Sequence, residues 1–484
     1  MEELTYMRLK EIPKIGISKE KIIFDTAIAA MDSKVNYNKG STAKPGTRPH
    51  PITLDVSRLV SELNNPNGVD RTMFRGSANR EKDYISMIAR LFGKKIDDKE
   101  LDAGFLLSGG TESINQASWM LRNKYFQDVH NINIRKLGFD KAIYKISEKE
   151  NRFVQPKILM PINQHFSGMK SSDILGIGTD KIIEYELNDD YDINISSLEK
   201  TIEQIYSSDD IMYAYFSAGD TTWGKVHNLE KFSETLNLMS EKYNKPKVPI
   251  IVDAAGAYMF IGLMKDNPNY TGDLPLISFE IDNVNAIIGD PHKQPIPYSC
   301  GLLMLKNMDL ANYTDIRNII NPAYLDMDDL NTRDLTSALA TIPTSRSGVN
   351  AFNAWSYLAN LGLDNLIKEK EKIWNNITEL KEYVNTSKYY ELVCEPQTQV
   401  LPFSYKDKNK NFKIYLDIKN DSSNYLHISF DETMFVKTNK EKKDSEKKHN
   451  YSGLFATIME HNTKENIADL IYNLDKKGYE INQK

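Results

Sequence analysis

Between Leu101 and Leu305 short apolar runs alternate with stretches of helical periodicity. The runs KILMPI (157–162), IMYAYFSA (211–218), PIIVDAA (249–255), VNAIIGD (284–290) and GLLMLK (301–306) are bounded by turn residues and predict buried strands. Helical patterns such as TESINQASWMLRNKYF (111–126) and NLEKFSETLNLMSEKYN (228–244) fill the gaps, as parallel crossovers require, so the pattern predicts an α/β domain. Ahead of it, Tyr84, Ile85, Met87, Ile88 and Leu91 recur at helical spacing and predict a first amphipathic helix over 81–92. Residues 1 to about 75 read as irregular; Met31 to Pro51 mixes Gly, Pro, Ser and Asn, as an arm crossing a dimer interface would. After Gly348, AFNAWSYLANLG leads into a charged helix over 363–384 that would join two domains. Beyond it, the alternating segments NFKIYLDI and YLHISF predict a small α+β domain, with KTNKEKKDSEKKHN (437–450) as a solvated loop. The expected division is an N-terminal arm (1–75), a large domain (76–362) and a small C-terminal domain (363–484).

Composition changes this picture little. The 484 residues are 40% apolar and 26% charged, ordinary for a folded protein, and long enough for more than one core. A net charge of −6, with Lys and Arg scattered, implies no nucleic-acid partner. Cys300 and Cys394 form neither a disulfide framework nor a CxxC site, which fits a reducing compartment. The first residues lack an apolar signal core and no run of about 18 apolar residues occurs, so no membrane partner and a cytoplasmic location are expected.

Candidate chemistry sits at strand ends. GDPHKQPIPYSCG (289–301) places Lys293 on a turn between two strands. A free lysine amine, with a pKa near ~10.4, is almost wholly protonated at neutral pH, so a nucleophilic lysine needs a special environment or a carbonyl partner. PIIVDAAGAY puts Asp253 at the carboxyl end of a strand, where ligands bind in α/β sheets; it suits a protonated ring nitrogen, with a cap on the next helix as the lesser alternative. SGGTES (108–113) opens a helix whose amides can receive a phosphate, with Gly109 and Gly110 allowing close approach; it is also a plain helix start, and without a Walker lysine it is no P-loop. His165 follows KILMPI and could stack on a flat ring or be structural; no HxH, HExxH or Cys/His cluster accompanies it, so no metal is expected.

In their order along the chain these elements resemble the pyridoxal-phosphate group II amino acid decarboxylases, a family related to sphingosine-phosphate lyase. The archaeal tyrosine/aspartate type is most similar, through RPHPIT (48–53), SGGTES, HFSGMKSSDILG (165–176), VDAA, DPHKQPIPYSCG, PAYL (322–325) and TSRSG (344–348). The resemblance implies an α/β fold-type I enzyme, aspartate aminotransferase-like, with a mixed, mostly parallel sheet in the large domain and a small α+β C-terminal domain. It implies a homodimer with the active site at the interface, using pyridoxal 5'-phosphate to decarboxylate an aromatic or acidic L-amino acid. By the same resemblance Lys293 holds the cofactor as a Schiff base, His165 stacks on the ring and Asp253 binds its nitrogen. Ser108, Gly109, Gly110, Thr111, Ala255 and His292 hold the cofactor and its phosphate. Tyr324 matches the residue that reprotonates the substrate carbon, though a core tyrosine fits as well; Arg346 and His50 fall on the substrate side. SAGDTTWGKVHN (217–228) departs from the family pattern, with Asp220 at a threonine position and His227 at an aspartate. An acidic pocket wall would favour a substrate with an extra amine. A carbon–carbon lyase and a non-catalytic cofactor-binding homologue are the alternatives.

Overall fold

The computed structural model describes residues 16–31, 47–69, 73–96, 102–319, 337–420, 428–432 and 452–483, with Arg71 and Met434. Two sheets organise it. The larger has seven strands: β1 (Gly104–Leu107), β2 (Lys157–Pro161), β3 (Ile182–Tyr185), β4 (Ile211–Ser217), β5 (Ile250–Asp253), β6 (Val284–Gly289) and β7 (Gly301–Leu305), in the spatial order β1-β7-β6-β5-β4-β2-β3. All neighbouring pairs are parallel except those of β7, which runs against both β1 and β6. All seven residues of β4 are buried, because helices cover both faces. Side chains two apart share a face, so Phe105, Met160, Tyr213, Tyr215 and Ile288 pack on one side with Ile114 and Leu121. Leu106, Leu159, Ala214, Phe216 and Ile287 pack on the other with Ile85, Ile88 and Leu236.

The smaller sheet is antiparallel: β8 (Tyr390–Leu392), β9 (Val400–Tyr405), β10 (Ser429–Asp431) and β11 (Gly453–Thr457), in the order β10-β11-β9-β8. One face, with Leu401, Phe403 and Leu454, covers Ile373, Ile377 and Leu470 of the helices Val349–Thr386 and Lys464–Asn482. The first of these helices joins the two units and is interrupted at Gly362, whose φ of +69° suits a residue without Cβ.

The α/β class with a mostly parallel sheet is as expected, and all five expected strands are present. Four local readings differ. β1 and β3 have only four residues each and were not expected, being too short to stand out from their surroundings. The N-terminal segment, expected to be irregular, carries helices at Lys19–Met31 and Pro51–Leu63; the second starts on a proline, is capped by His50, and packs on the long helix. The helix expected from 81 begins at Arg75. NFKIYLDI lies in a helix, Asn411–Asn420, because the fold buries Ile414 and Ile418, four apart, on one side. The charged run 437–450 and most of Met31–Pro51 lie outside the described residues. Among those described, no helix is long and apolar enough to cross a membrane.

Candidate active site

Five strands deliver their carboxyl ends to one cavity of about 610 Å³. β1 runs into Ser108–Gly110, β2 into Asn163–His165, β4 ends at Ser217 ahead of Asp220, β5 ends at Asp253, and β6 leads to Asp290 and the Pro291–Lys293 turn. This is the crevice where α/β sheets bind ligands. The small unit closes the cavity with Gln399, Val400, Asp431 and Thr457.

Lys293 is held by its turn, its N–H donating to the Asp290 carbonyl at 2.9 Å, and its Nζ lies 3.0 Å from Asp290 Oδ2. Asp253 is fixed from both sides: Oδ2 accepts from Gln164 Nε2 at 2.7 Å and Oδ1 from the Ala255 N–H at 3.2 Å. The His165 ring, next to Asp253 in charge contact, has Nδ1 2.9 Å from Ser167 Oγ. Burial pushes the His165 imidazole below its usual range, and does the same to His292, whose Nδ1 is 2.6 Å from the Cys300 carbonyl oxygen. Both rings are therefore neutral at pH 7.

Close backbone packing shapes the helix start at the cavity. The Gly110–His130 helix starts without a side-chain cap and its first residues, Gly110, Thr111 and Glu112, border the cavity, while ahead of it the Ser108 N–H donates to Glu112 Oε2 at 2.8 Å. A Cβ on Gly110 would lie 2.9 Å from Asp290 Oδ2, and one on Gly301 would lie 2.5 Å from the Gly109 backbone. Gly109 would bring a Cβ within 3.3 Å of the His292 ring. A helix start, a lysine, a buried carboxylate and a histidine at one cavity fit a flat, phosphate-bearing aldehyde. Buried Asp290 Oδ1 and Gln164 Oε1, both without a protein partner, are acceptors open to a donor on a bound ligand.

The sequence from residue 58 to 406 matches the model of the pyridoxal-dependent decarboxylase conserved domain. The chain belongs to this family. As a pyridoxal-dependent decarboxylase its cofactor is pyridoxal 5'-phosphate. It is 26% identical over 364 residues to a probable L-tyrosine/L-aspartate decarboxylase of Methanothermobacter thermautotrophicus, covering 74% of this chain and 81% of that one. An L-aspartate decarboxylase of Thermococcus kodakarensis is 26% identical over 367 residues, covering 75% and 79%. In fold it is similar to Oryza sativa TDC with PLP and tryptamine, at a TM-score of 0.77 and 11% identity over 98% of this chain and 90% of that one.

In this decarboxylase Ser108, Gly109, Gly110, Thr111, His165, Asp220, Asp253, Ala255, His292 and Lys293 all border the cavity. His50 and Arg346, expected on the substrate side, do not border it in the single chain. His50 caps a helix, with its ring centre 6.0 Å from that of Tyr357. Arg346 pairs with Glu81 at 2.6 Å, and Glu81 also accepts from the Leu106 N–H, so Glu81 ties its helix to β1 and the arginine neutralises it there. Tyr324 lies outside the described residues. Asp220 borders the cavity, but its oxygens are committed: they accept from the N–H groups of Thr222 (2.9 Å), Trp223 (2.7 Å) and Lys225 (3.1 Å) and from Asn163 Nδ2 (3.3 Å). His227 is fully buried between Asn163 and Asp192. Sequence reading did not single out Asp290, Gln164 or the small-unit residues. Asp290 was visible inside GDPHK; Gln399 and Asp431 carry no local motif.

Proposed function

We propose that the protein decarboxylates an L-amino acid at this cavity, with Lys293 as the cofactor-bearing lysine. The observation that carries the reading is the convergence of Lys293, Asp253, His165 and the open helix start of Gly110 on one cavity. When bound, the cofactor supplies an electron sink for the pair left by departing carbon dioxide. The protein's residues do the rest. Ser108, Gly109, Gly110, Thr111 and His292 hold the phosphate. Asp253, locked by Gln164 and Ala255, faces the ring nitrogen and keeps its proton in place. Neutral His165 lies against the ring without adding a second cation, and Asp290 orients the Lys293 amine. Tyr324 is the proposed proton donor to the substrate carbon, His50 acts at the substrate end across a dimer interface, Arg346 serves the fold through Glu81, and the setting is cytoplasmic. Ile23 and Phe24, 57% and 67% exposed on the Lys19–Met31 helix, support a dimer.

Of aromatic and acidic substrates, the cavity favours the aromatic. Among the described lining residues are Glu112, Asp220, Asp253, Asp290 and Asp431 against Lys293 and two neutral histidines, with no arginine for a second substrate carboxylate; Phe166 and Trp223 add aromatic surface. The experiment is borohydride reduction with peptide mapping, followed by carbon dioxide and amine assays over the amino acids. Label on Lys293 and carbon dioxide from tyrosine in preference to aspartate is expected. Label without carbon dioxide from any amino acid would exclude the decarboxylase, and cleavage of an amino-alcohol phosphate would establish the lyase instead.

A further inference from the structure

Lys370 is 2% exposed on the long helix, beyond its break at Gly362. Its Nζ donates to Gln294 Oε1 at 2.7 Å and forms an ion pair with the buried carboxylate of Glu460. Gln294, also 2% exposed, directly follows Lys293, and its N–H is tied back to the Pro291 carbonyl at 2.9 Å. Glu460 lies three residues past β11, in a segment joined to the small unit by the hydrogen bond from the Ile458 N–H to the Gln399 carbonyl at 2.8 Å. Lys372 Nζ reaches the Glu460 carbonyl at 3.0 Å. One buried ammonium thus joins three segments: the Lys293 turn, the connecting helix and the small unit.

Stability does not account for such a pair, because stripping water from an ammonium and a carboxylate costs several kcal/mol for each ion, and apolar packing does as well. We propose that Lys370 is a positioning residue: through Gln294 it sets the orientation of Lys293, and through Glu460 it makes that orientation depend on the seating of the small unit. The small unit in turn supplies Gln399, Asp431 and Thr457 to the cavity wall, so closing the wall and aiming the lysine become one event. This rests on the reading of Lys293 as the cofactor-bearing lysine.

The test compares Lys370→Met, Glu460→Leu, the double variant and Gln294→Leu in the pyridoxal-phosphate-loaded full chain. Melting temperature, kcat and KM, and the pH titration of the absorbance band of the Lys293-bound cofactor are read. Each charge deletion alone should lower the melting temperature, since it strands a buried charge, and the double variant should recover it. The double variant should nevertheless keep a titration midpoint displaced by about one unit and a kcat reduced about tenfold with KM little changed, a change of ~1.4 kcal/mol. Gln294→Leu should reproduce both effects with the ion pair intact. A double variant that recovers the wild-type titration and kcat along with its melting temperature would show that the pair is only structural. Absence of borohydride label on Lys293 in the wild type would overturn the cofactor reading itself, and this inference with it.

Discussion

Replacing Asp220 by alanine removes four hydrogen bonds at once. Three of the donors are backbone N–H groups, of Thr222, Trp223 and Lys225, and Trp223 is 6% exposed. A buried donor without a partner costs about 1–3 kcal/mol, so three would cost about 3–9 kcal/mol. Two effects offset this. The Asp220 carboxyl is held above its usual range by burial, so its removal relieves desolvation, and the cavity beside it lets water reach some of the freed groups. The net loss should be about 3 kcal/mol. With an unfolding entropy of ~2.1 cal/mol/K per residue, 484 residues give about 1 kcal/mol/K, so the melting temperature should fall by about 3 °C. Asp220→Asn, which keeps an acceptor oxygen, should lose about a third of that. If the carboxylate serves the turn and not the substrate, kcat/KM should drop for every amino acid by a similar factor and their ranking should hold. Differential scanning fluorimetry and a panel of amino acid substrates read the two quantities. An alanine variant that melts with the wild type but reorders its substrates would overturn the turn-holding role and make Asp220 a reader of the substrate side chain.

Gly301→Ala pushes a methyl group to 2.5 Å from the Gly109 backbone and must displace the segment proposed to hold the phosphate; at about 1–3 kcal/mol for such crowding, pyridoxal-phosphate affinity measured by fluorescence quenching should fall by about tenfold or more. Lys293→Ala should abolish borohydride-stable labelling, and retained label on another lysine would reassign the site. Burial depresses the folded-state pKa of His165 and His292 below 6.5, so the unfolded chain takes up protons first as the pH falls. Their contribution to stability is complete above pH 6.5 and is lost as the pH falls through that value towards the folded-state pKa. The melting temperature of the cofactor-free protein should therefore drop between pH 7 and pH 5.5, and by less in His292→Asn; an equal drop in the variant would remove His292 from that account.

The α/β class, the cofactor and four of the five strands that end at the cavity were legible in the sequence; β1 was not. Buried parallel strands are continuous apolar runs, and ligand sites follow their ends, so Asp253 at the end of its run and His165 and Lys293 three residues past theirs could be found by reading the run ends. SGGTES was legible for the same reason, since a helix start is a local pattern. What several of these residues touch follows only from the packed chain. Asp220 and Arg346 are equally plausible substrate ligands in a string of letters. Their charges are spent on backbone amides and on Glu81, partners separated from them by between two residues and 265. Gln399 and Asp431 reach the cavity from a second sheet more than 90 residues after β7, so no spacing rule could name them. The helix at Asn411–Asn420 was read as a strand because its hydrophobic residues fit both periods, and the burial that chooses between them belongs to the packed core. Lys370, an unremarkable member of a charged helix in the sequence, acquires its place beside Lys293 only when the chain brings Gln294 and Glu460 to it, because a buried charge must be paired wherever the fold puts it.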